Sequence, residues 1–337
     1  MKNGSPRQGD ELQSGDCRQS VYELRGAMAL QKTIKNRMVC QGVGVHTGIL
    51  SRLTLLPAPE GTGIVFRRTD HPGVAGVIPA KFDKVTDTKL GTTIGNVYGV
   101  KVHTVEHLMA AIVGCGVTNL FVEIDGAEVP IMDGSAAPFV FLIECAGVVT
   151  QGAPQQIIRV RETVRVEEGD KYAELRPGVG FSAELEIAFE NCPVIDRQFY
   201  SFDLDAPSFK AELARARTFG FRHEVEYLQA NGLALGGSLA NSIVLDGATI
   251  MNEEGLRYGD EFVRHKLLDV VGDLSLAGAP LFAQFRGYKT GHALNNRLLR
   301  ELFARKGAYE FVTLHAPRRG GHVVSHPAYA ASLAAAE

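Results

Sequence analysis

The stretch Phe262-Val-Arg-His265-Lys266-Leu-Leu-Asp269-Val-Val-Gly-Asp273-Leu274 constrains the fold of this chain more than any other. At about 100° per residue, Val263, Leu267, Val270 and Leu274 fall on one side of a helix, while His265, Asp269 and Asp273 line another. On this reading the apolar stripe enters the core and the polar stripe faces away from it. An imidazole and a carboxylate four residues apart can share one cation, and a carboxylate one turn further on can orient a neighbour. The same spacing describes an ordinary charge pair on a solvated helix face, so the metal reading requires partners from elsewhere in the chain.

The 337 residues, 45% of them hydrophobic, can bury a sizeable core, and the length predicts two domains with room for a site between them. A formal net charge of -3 gives no basic footprint, so no nucleic-acid partner is implied. Cys17, Cys40, Cys115, Cys145 and Cys192 are odd in number and scattered, with no C-x-x-C pair. That argues against a disulfide framework or a thiolate zinc site and for a reducing, cytoplasmic setting. Residues 1–30 are polar, lack the apolar core of a signal peptide and read as a disordered extension. No apolar run approaches the roughly 18 residues of a membrane span.

Along the chain, Gln31 to Pro57 reads as strands joined by a turn at Gly42-Val-Gly-Val-His46-Thr-Gly48, where His46 is either a polar loop residue or a substrate contact. Thr104-Val-Glu106-His107-Leu-Met-Ala-Ala-Ile-Val-Gly114 reads as a helix with Thr104 as its N-cap and Glu106 and His107 in its first turn. Both reach one ion only if it sits off the helix end. Taken alone, the pair equally describes a dipole-favoured acid beside a surface histidine. Ser135 caps a helix over Phe139 to Ala146. After a linker near Gln151 to Pro154, Ile157 to Glu167 and Tyr172 to Arg176 read as a strand pair around Glu168-Gly-Asp170, followed by a strand at Phe181 to Ile187 and helices at Ser208 to Arg215 and Arg222 to Asn231. Phe221, Val225 and Leu228 share one face of the last, a face that serves either as core or as the wall of an apolar passage. His292 follows a glycine at the mouth of a helix running to Arg305. The two halves share a strands-then-helix order, compatible with a structural duplication that no repeat in the residues reveals.

Two histidines and an aspartate, with a spare glutamate and a loose histidine, make three ligands and an open position, the pattern of catalytic zinc. Five motifs carry a resemblance: Thr104-Val-Glu-His-Leu-Met-Ala-Ala, Ile131-Met-Asp-Gly-Ser-Ala-Ala-Pro-Phe, Ala216-Arg-Thr-Phe-Gly-Phe, His265-Lys-Leu-Leu-Asp-Val-Val-Gly-Asp and Gly291-His-Ala-Leu-Asn-Asn. In this order they resemble the bacterial UDP-3-O-acyl-N-acetylglucosamine deacetylases, zinc amidases that commit sugar nucleotide to lipid A. The resemblance covers about Gln31 to Val312 and makes Met28 look like the family's usual start.

It implies an α+β fold of two similar two-layer α/β sandwich domains, each with a small insert, and a zinc site between the helix layers. The first domain would span 31–153 with a β insert and the second 154–316 with a β-α-β insert at about 219–245, before a tail at 317–337 without chemistry. By motif position, His107, His265 and Asp269 take the family's zinc ligands, Glu106 its general base, His292 its general acid, Thr218 the oxyanion-stabilising role and Asp273 the partner of His292. Lys266 would contact sugar or phosphate, Lys171 and Phe189 the nucleotide, Lys289 a phosphate, and His46, Phe219, Val225 and Gly237 the acyl chain. The substrate is then a UDP-sugar with an acyl chain, handled by a monomer. One departure is Gly91, where relatives often carry cysteine; it reads as a change at the rim, away from the chemistry. Two rival readings are a zinc amidase acting on another N-acyl sugar and a non-catalytic binding protein stapled by its metal. The first lacks a use for the apolar insertion, and the second would normally need a fourth protein ligand.

Overall fold

The structure is a computed structural model that describes residues 29–314. Almost all of the polar extension, and the whole tail from 317, lie outside the described residues. In the first half a five-stranded sheet has the order Met38–Val43, Leu50–Pro57, Leu120–Ile124, Ile64–Arg68, Val77–Pro79. Leu120–Ile124 runs antiparallel to Leu50–Pro57 and parallel to Ile64–Arg68. Its alternate residues Leu120, Val122 and Ile124 are buried, the period of two that a sheet with one covered face requires. Helices α1 (Glu106–Gly114) and α2 (Ala137–Ala146) belong to this half.

The second half repeats the arrangement. Its strands order as Val164–Glu168, Lys171–Pro177, Leu281–Tyr288, Phe181–Phe189, Asp196–Asp203, with Leu281–Tyr288 antiparallel to Lys171–Pro177 and parallel to Phe181–Phe189. Strand order, sense and order along the chain match those of the first half. The duplication that the residues conceal is therefore plain in the backbone. The strand pair expected from Ile157 to Arg176 divides differently. Only Val164–Glu168 pairs with Lys171–Pro177, while Gln156–Val160 leaves that hairpin to run antiparallel to Tyr309–Thr313 and parallel to the start of Leu281–Tyr288. Ile157 and Ile158 are fully buried, and local alternation carries no information about which distant strand covers them.

Each half also carries an insert. In the first it is a three-stranded sheet of Val85–Asp87, Thr93–Gly95 and Lys101–Val102, so the turn expected at Thr88 to Thr93 ends in a strand. In the second, Phe219–Phe221 pairs in parallel with Ile243–Asp246 across α3 (Arg222–Ala230), the expected β-α-β unit. The helix expected at Ser208 to Arg215 is instead one turn at Ala206–Ser208 followed by a π-helix at Phe209–Leu213. The Phe209 ring lies against Gly114, where a Cβ would come within 2.2 Å of it.

The largest correction concerns α4 (Glu261–Ser275), the helix of the opening motif. His265, Asp269 and Asp273 do not face solvent; each is 3% exposed. The polar stripe is covered by α1, and the contact is close because Gly272 has no side chain. A Cβ there would stand 2.1 Å from the Glu106 carbonyl oxygen. Glycine in mid-helix is ordinarily a loss of about 0.5–1 kcal/mol relative to alanine, so its place here is explained by the approach of the two backbones. Two smaller corrections concern caps. Thr104 does not cap α1; it has φ 57 and its hydroxyl donates to Glu128 Oε1 at 3.0 Å. Ser135 lies one residue before the N-cap of α2, Ala136, and its Oγ accepts from the Ala137 N–H at 3.2 Å.

Replacing Gly272 by alanine should force α1 and α4 apart, at a cost of about 1–3 kcal/mol by analogy with other overpacked cores. The measurement is a urea titration in which the midpoint falls and the slope is unchanged. A variant with the wild-type midpoint would mean that the two helices tolerate wider spacing and that their contact is not what Gly272 serves.

Candidate metal centre

The face-to-face packing of α1 and α4 brings together residues that are 158 to 162 positions apart. One donor atom each from His107, His265 and Asp269 lies within 4.8 Å of the others, and all three residues are buried. The Nε2 atoms of His107 and His265 stand 3.6 and 3.5 Å from Asp269 Oδ1. Asp269 Oδ1 is a buried oxygen without a hydrogen-bond donor among the described residues. Such an orphan ordinarily weakens a fold, unless a cation completes it. His265 Nδ1 lies 3.0 Å from the Ala216 carbonyl, which only accepts, so Nδ1 carries the proton and the Nε2 lone pair is free. Burial pushes the His265 ring down to about 4, with His107 adding to the effect, and keeps it neutral as a ligand must be. Burial alone would raise the Asp269 carboxyl; the Lys266 ammonium, 2.9 Å from Oδ2, and the neighbouring His265 hold it well below the usual carboxylate range. The donor set fits a divalent metal.

A second network adjoins it. Burial raises the Glu106 pKa, and Glu106 Oε2 accepts the Thr92 N–H at 2.9 Å. The Thr92 hydroxyl donates to Asp273 Oδ1 at 2.5 Å, Asn295 Nδ2 donates to Asp273 Oδ2 at 2.8 Å, and His292 Nδ1 meets the same oxygen at 2.9 Å. Burial would lower the His292 ring, but the carboxylates of Asp273, Asp269 and Glu106 outweigh it and push the pKa up to about 9. A buried acid with a raised pKa thus adjoins a histidine that stays protonated at neutral pH, a pairing suited to moving a proton in two directions.

The motif Ala216 to Phe221 is positioned by a buried ion pair. Arg217, 2% exposed, donates through Nε and its own backbone N–H to Glu261 Oε1, while the Thr218 N–H donates to the Gly134 carbonyl at 2.8 Å. Gly134, with φ +83, also lets the Asn241 backbone pass close by, since a Cβ would fall 2.0 Å from the Asn241 carbonyl oxygen. Phe219 packs edge-on against Phe262 and His265. From the His107, His265 and Asp269 cluster a cavity of about 410 Å³ extends under the second insert. Glu106, His107, Thr218, Phe219, His265, Asp269 and His292 share it with His46, Val225, Leu228 and Gly237.

The other expected site residues sit elsewhere. Asp273 stands behind His292, and Lys266 is engaged with Asp269. Phe189 packs on the far side of Phe219 and Phe221, Lys289 is paired with Asp170 and Glu190, and Lys171 opens the neighbouring strand; none of the three lines the cavity. Helix α3 has no buried residue, so the face of Val225 and Leu228 is a cavity wall rather than core. Of the insert's glycines Gly220 and Gly237 line the cavity. Gly236 lies against the Gly44 carbonyl, and Gly232 makes the positive-φ turn after α3.

Residues 31–304 match the family LpxC, UDP-3-O-acyl N-acetylglycosamine deacetylase. The chain belongs to that family. It is 50% identical to the UDP-3-O-acyl-N-acetylglucosamine deacetylase of Idiomarina loihiensis over 287 residues, 85% of this chain and 94% of that protein. The corresponding deacetylase of Shewanella violacea is 47% identical over 294 residues, 86% of this chain and 95% of that protein. This member of the deacetylase family contains no described helix long and apolar enough to cross a membrane.

Two features escaped the sequence reading. Thr92 and Asn295 hold Asp273, yet Thr92 is 181 residues from it, and only its place inside a polar β-branched stretch hinted at a role. Gly91 is not remote from Glu106, as a rim position would be: a Cβ there would lie 2.7 Å from Glu106 Oε1, so a side chain at this position would crowd that carboxyl. Asp269→Ala should abolish tight metal binding while the protein stays folded, because the ligands are added to a core built by other residues. Elemental analysis after gel filtration provides the check; one metal per chain retained by the variant would discard Asp269 as a ligand.

Proposed function

We propose that this chain hydrolyses the 2-acetamido group of UDP-3-O-(3-hydroxyacyl)-N-acetylglucosamine, releasing acetate and the free glucosamine nucleotide, with zinc held by His107, His265 and Asp269. The reaction is the deacetylation named for its relatives, the committed step of lipid A biosynthesis, and it acts on an amide. The observation that carries the reading is the orphaned Asp269 Oδ1 facing two imidazole Nε2 atoms at the floor of a cavity with an apolar insert above it. A donor set dominated by imidazole favours zinc over magnesium. When bound, zinc supplies Lewis acidity, lowering the pKa of a coordinated water toward about 7 and polarising a carbonyl.

The remaining work falls to the protein. Glu106 accepts the proton of the attacking water, and its buried carboxylate is fixed by the Thr92 N–H. The Thr218 hydroxyl donates to the oxyanion that develops on the acetamido carbonyl. His292, kept protonated by Asp273, delivers a proton to the departing amine, so the amine leaves neutral. Lys266 orients Asp269 with one N–H and has two further donors for sugar or phosphate. His46, Phe219, Val225 and Gly237 take the acyl chain along the cavity, and Lys171, Phe189 and Lys289 serve the nucleotide beyond its edge. The chain works as a monomer in the cytoplasm.

The pH profile of kcat/KM should be bell-shaped. On the acidic side Glu106 gains a proton and can no longer accept one; on the basic side His292 loses its proton through about 9. Asp273→Asn removes the carboxylate that raises His292 and should move the basic limb to lower pH. Glu106→Gln should lower kcat by roughly two to four powers of ten with metal retained. Near-normal turnover in that variant, or a basic limb unmoved in Asp273→Asn, would remove the residue concerned from its role. For the acyl passage, Gly237→Phe or Val225→Trp should penalise long-chain substrates far more than short ones, with unfolding little changed. Equal losses on both, together with a large drop in Tm, would refute the passage.

A further inference from the structure

A second cavity, of about 340 Å³, lies at the other end of the same helix pair. Met109 and Ile112 of α1 and Val271 and Leu274 of α4 form one wall; Leu30 and Phe181 stand among the others, so both halves of the fold contribute. Nothing in the deacetylation uses this space. Ligand sites favour such junctions, and most have apolar walls with a few placed polar groups. The Thr118 and Ser275 hydroxyls and the Asp205 carboxylate on the lining of this cavity have partners within the fold, while two further groups offer polar atoms without one among the described residues. Gln155 is 6% exposed and lines the cavity; its Nε2 donates to the Gln156 carbonyl at 2.6 Å, but its Oε1 accepts nothing. Lys32 stands where the cavity meets an adjoining cleft that contains Glu144 and Lys210. Glu144 is taken by Lys210, and among the described residues no carboxylate pairs with the Lys32 ammonium.

We propose that this cavity binds a medium-length aliphatic chain with an anionic end at Lys32 and a hydroxyl that donates to Gln155 Oε1. The apolar walls take the methylenes. The Gln155 N–H donates to the Ala29 carbonyl, three residues before Lys32, so the backbones that carry the acceptor and the cation are offset by roughly 10 Å along the strand. A ten-carbon chain, whose extended length is of that order, is the probe chosen to span the two groups. The site is distinct from the acyl passage, which approaches the metal ligands from the insert and shares no lining residue with it.

Calorimetric titration of the metal-loaded protein with 10-hydroxydecanoate, decanoate and decylamine tests the assignment. The hydroxylated acid should bind about three- to tenfold more tightly than decanoate, the contribution of one hydrogen bond, and decylamine should bind weakest. Gln155→Leu should erase the hydroxyl preference. Ala279→Phe, which fills the cavity, should weaken binding at least tenfold, and Lys32→Glu, a surface change that leaves the core alone, should do so for both acids. Binding should survive Val225→Trp in the metal cavity. The proposal fails if binding is lost in Val225→Trp and kept in Ala279→Phe, since the probe then occupies the metal cavity. It fails equally if no saturable binding occurs, or if decanoate matches the hydroxylated acid in the wild type, in which case Gln155 Oε1 holds an ordered water only.

Discussion

The contact between Gly272 of α4 and the backbone of α1 at Glu106 is the interaction on which the rest of this structure depends. Each half of the fold has its own sheet and helices, and neither half holds a complete site. Close approach of the two helices places one histidine of the first half against a histidine and an aspartate of the second. A gap wider by one methyl group would draw the donor atoms apart. The same contact covers the polar stripe of α4, turning what would be a solvated charge pair of little energetic weight into a buried cluster.

Burial then sets the chemistry. Desolvation acts on His265, Glu106, Asp269 and His292 in the same physical way, yet the four groups end in different states because their neighbours differ. His265 has a carbonyl at Nδ1 and remains neutral, with its Nε2 lone pair free. Asp269 has the Lys266 ammonium and remains ionised. His292 faces three carboxylates and holds its proton, and Glu106, beside two of those carboxylates in a dry site, is drawn toward protonation. Thr92 links two of these groups, since its backbone N–H fixes Glu106 while its hydroxyl fixes Asp273.

The inserts supply what the duplicated core cannot. A two-layer sandwich offers a rigid floor but no roof, and the β-α-β unit at Phe219 to Asp246 provides the roof with a helix that is not part of the core. Its attachment rests on the buried Arg217–Glu261 pair and on the close passage at Gly134, which hold Thr218 and Phe219 beside the His107, His265 and Asp269 cluster while the helix beyond them stays exposed.

The sequence by itself determined the local pieces: the amphipathic helix of the opening motif, the helix that begins at Glu106, the β-α-β order of the second insert, and, through five motifs, the family and the three candidate ligands. These are legible because helical spacing and motif chemistry are written within a few consecutive residues. Tertiary structure alone decided that the polar stripe of α4 is buried, that Ile157 leaves its expected hairpin for two distant strands, that the Phe209 ring of a π-helix lies against Gly114, and that Gly91 borders Glu106. It also brought Thr92 and Asn295 to Asp273 and aligned two sheets whose sequences show no repeat. In each case the deciding partner lies outside the local element, from 15 residues away for Gly91 and Glu106 to 181 for Thr92 and Asp273, and a local pattern records that a side chain must be covered without recording what covers it.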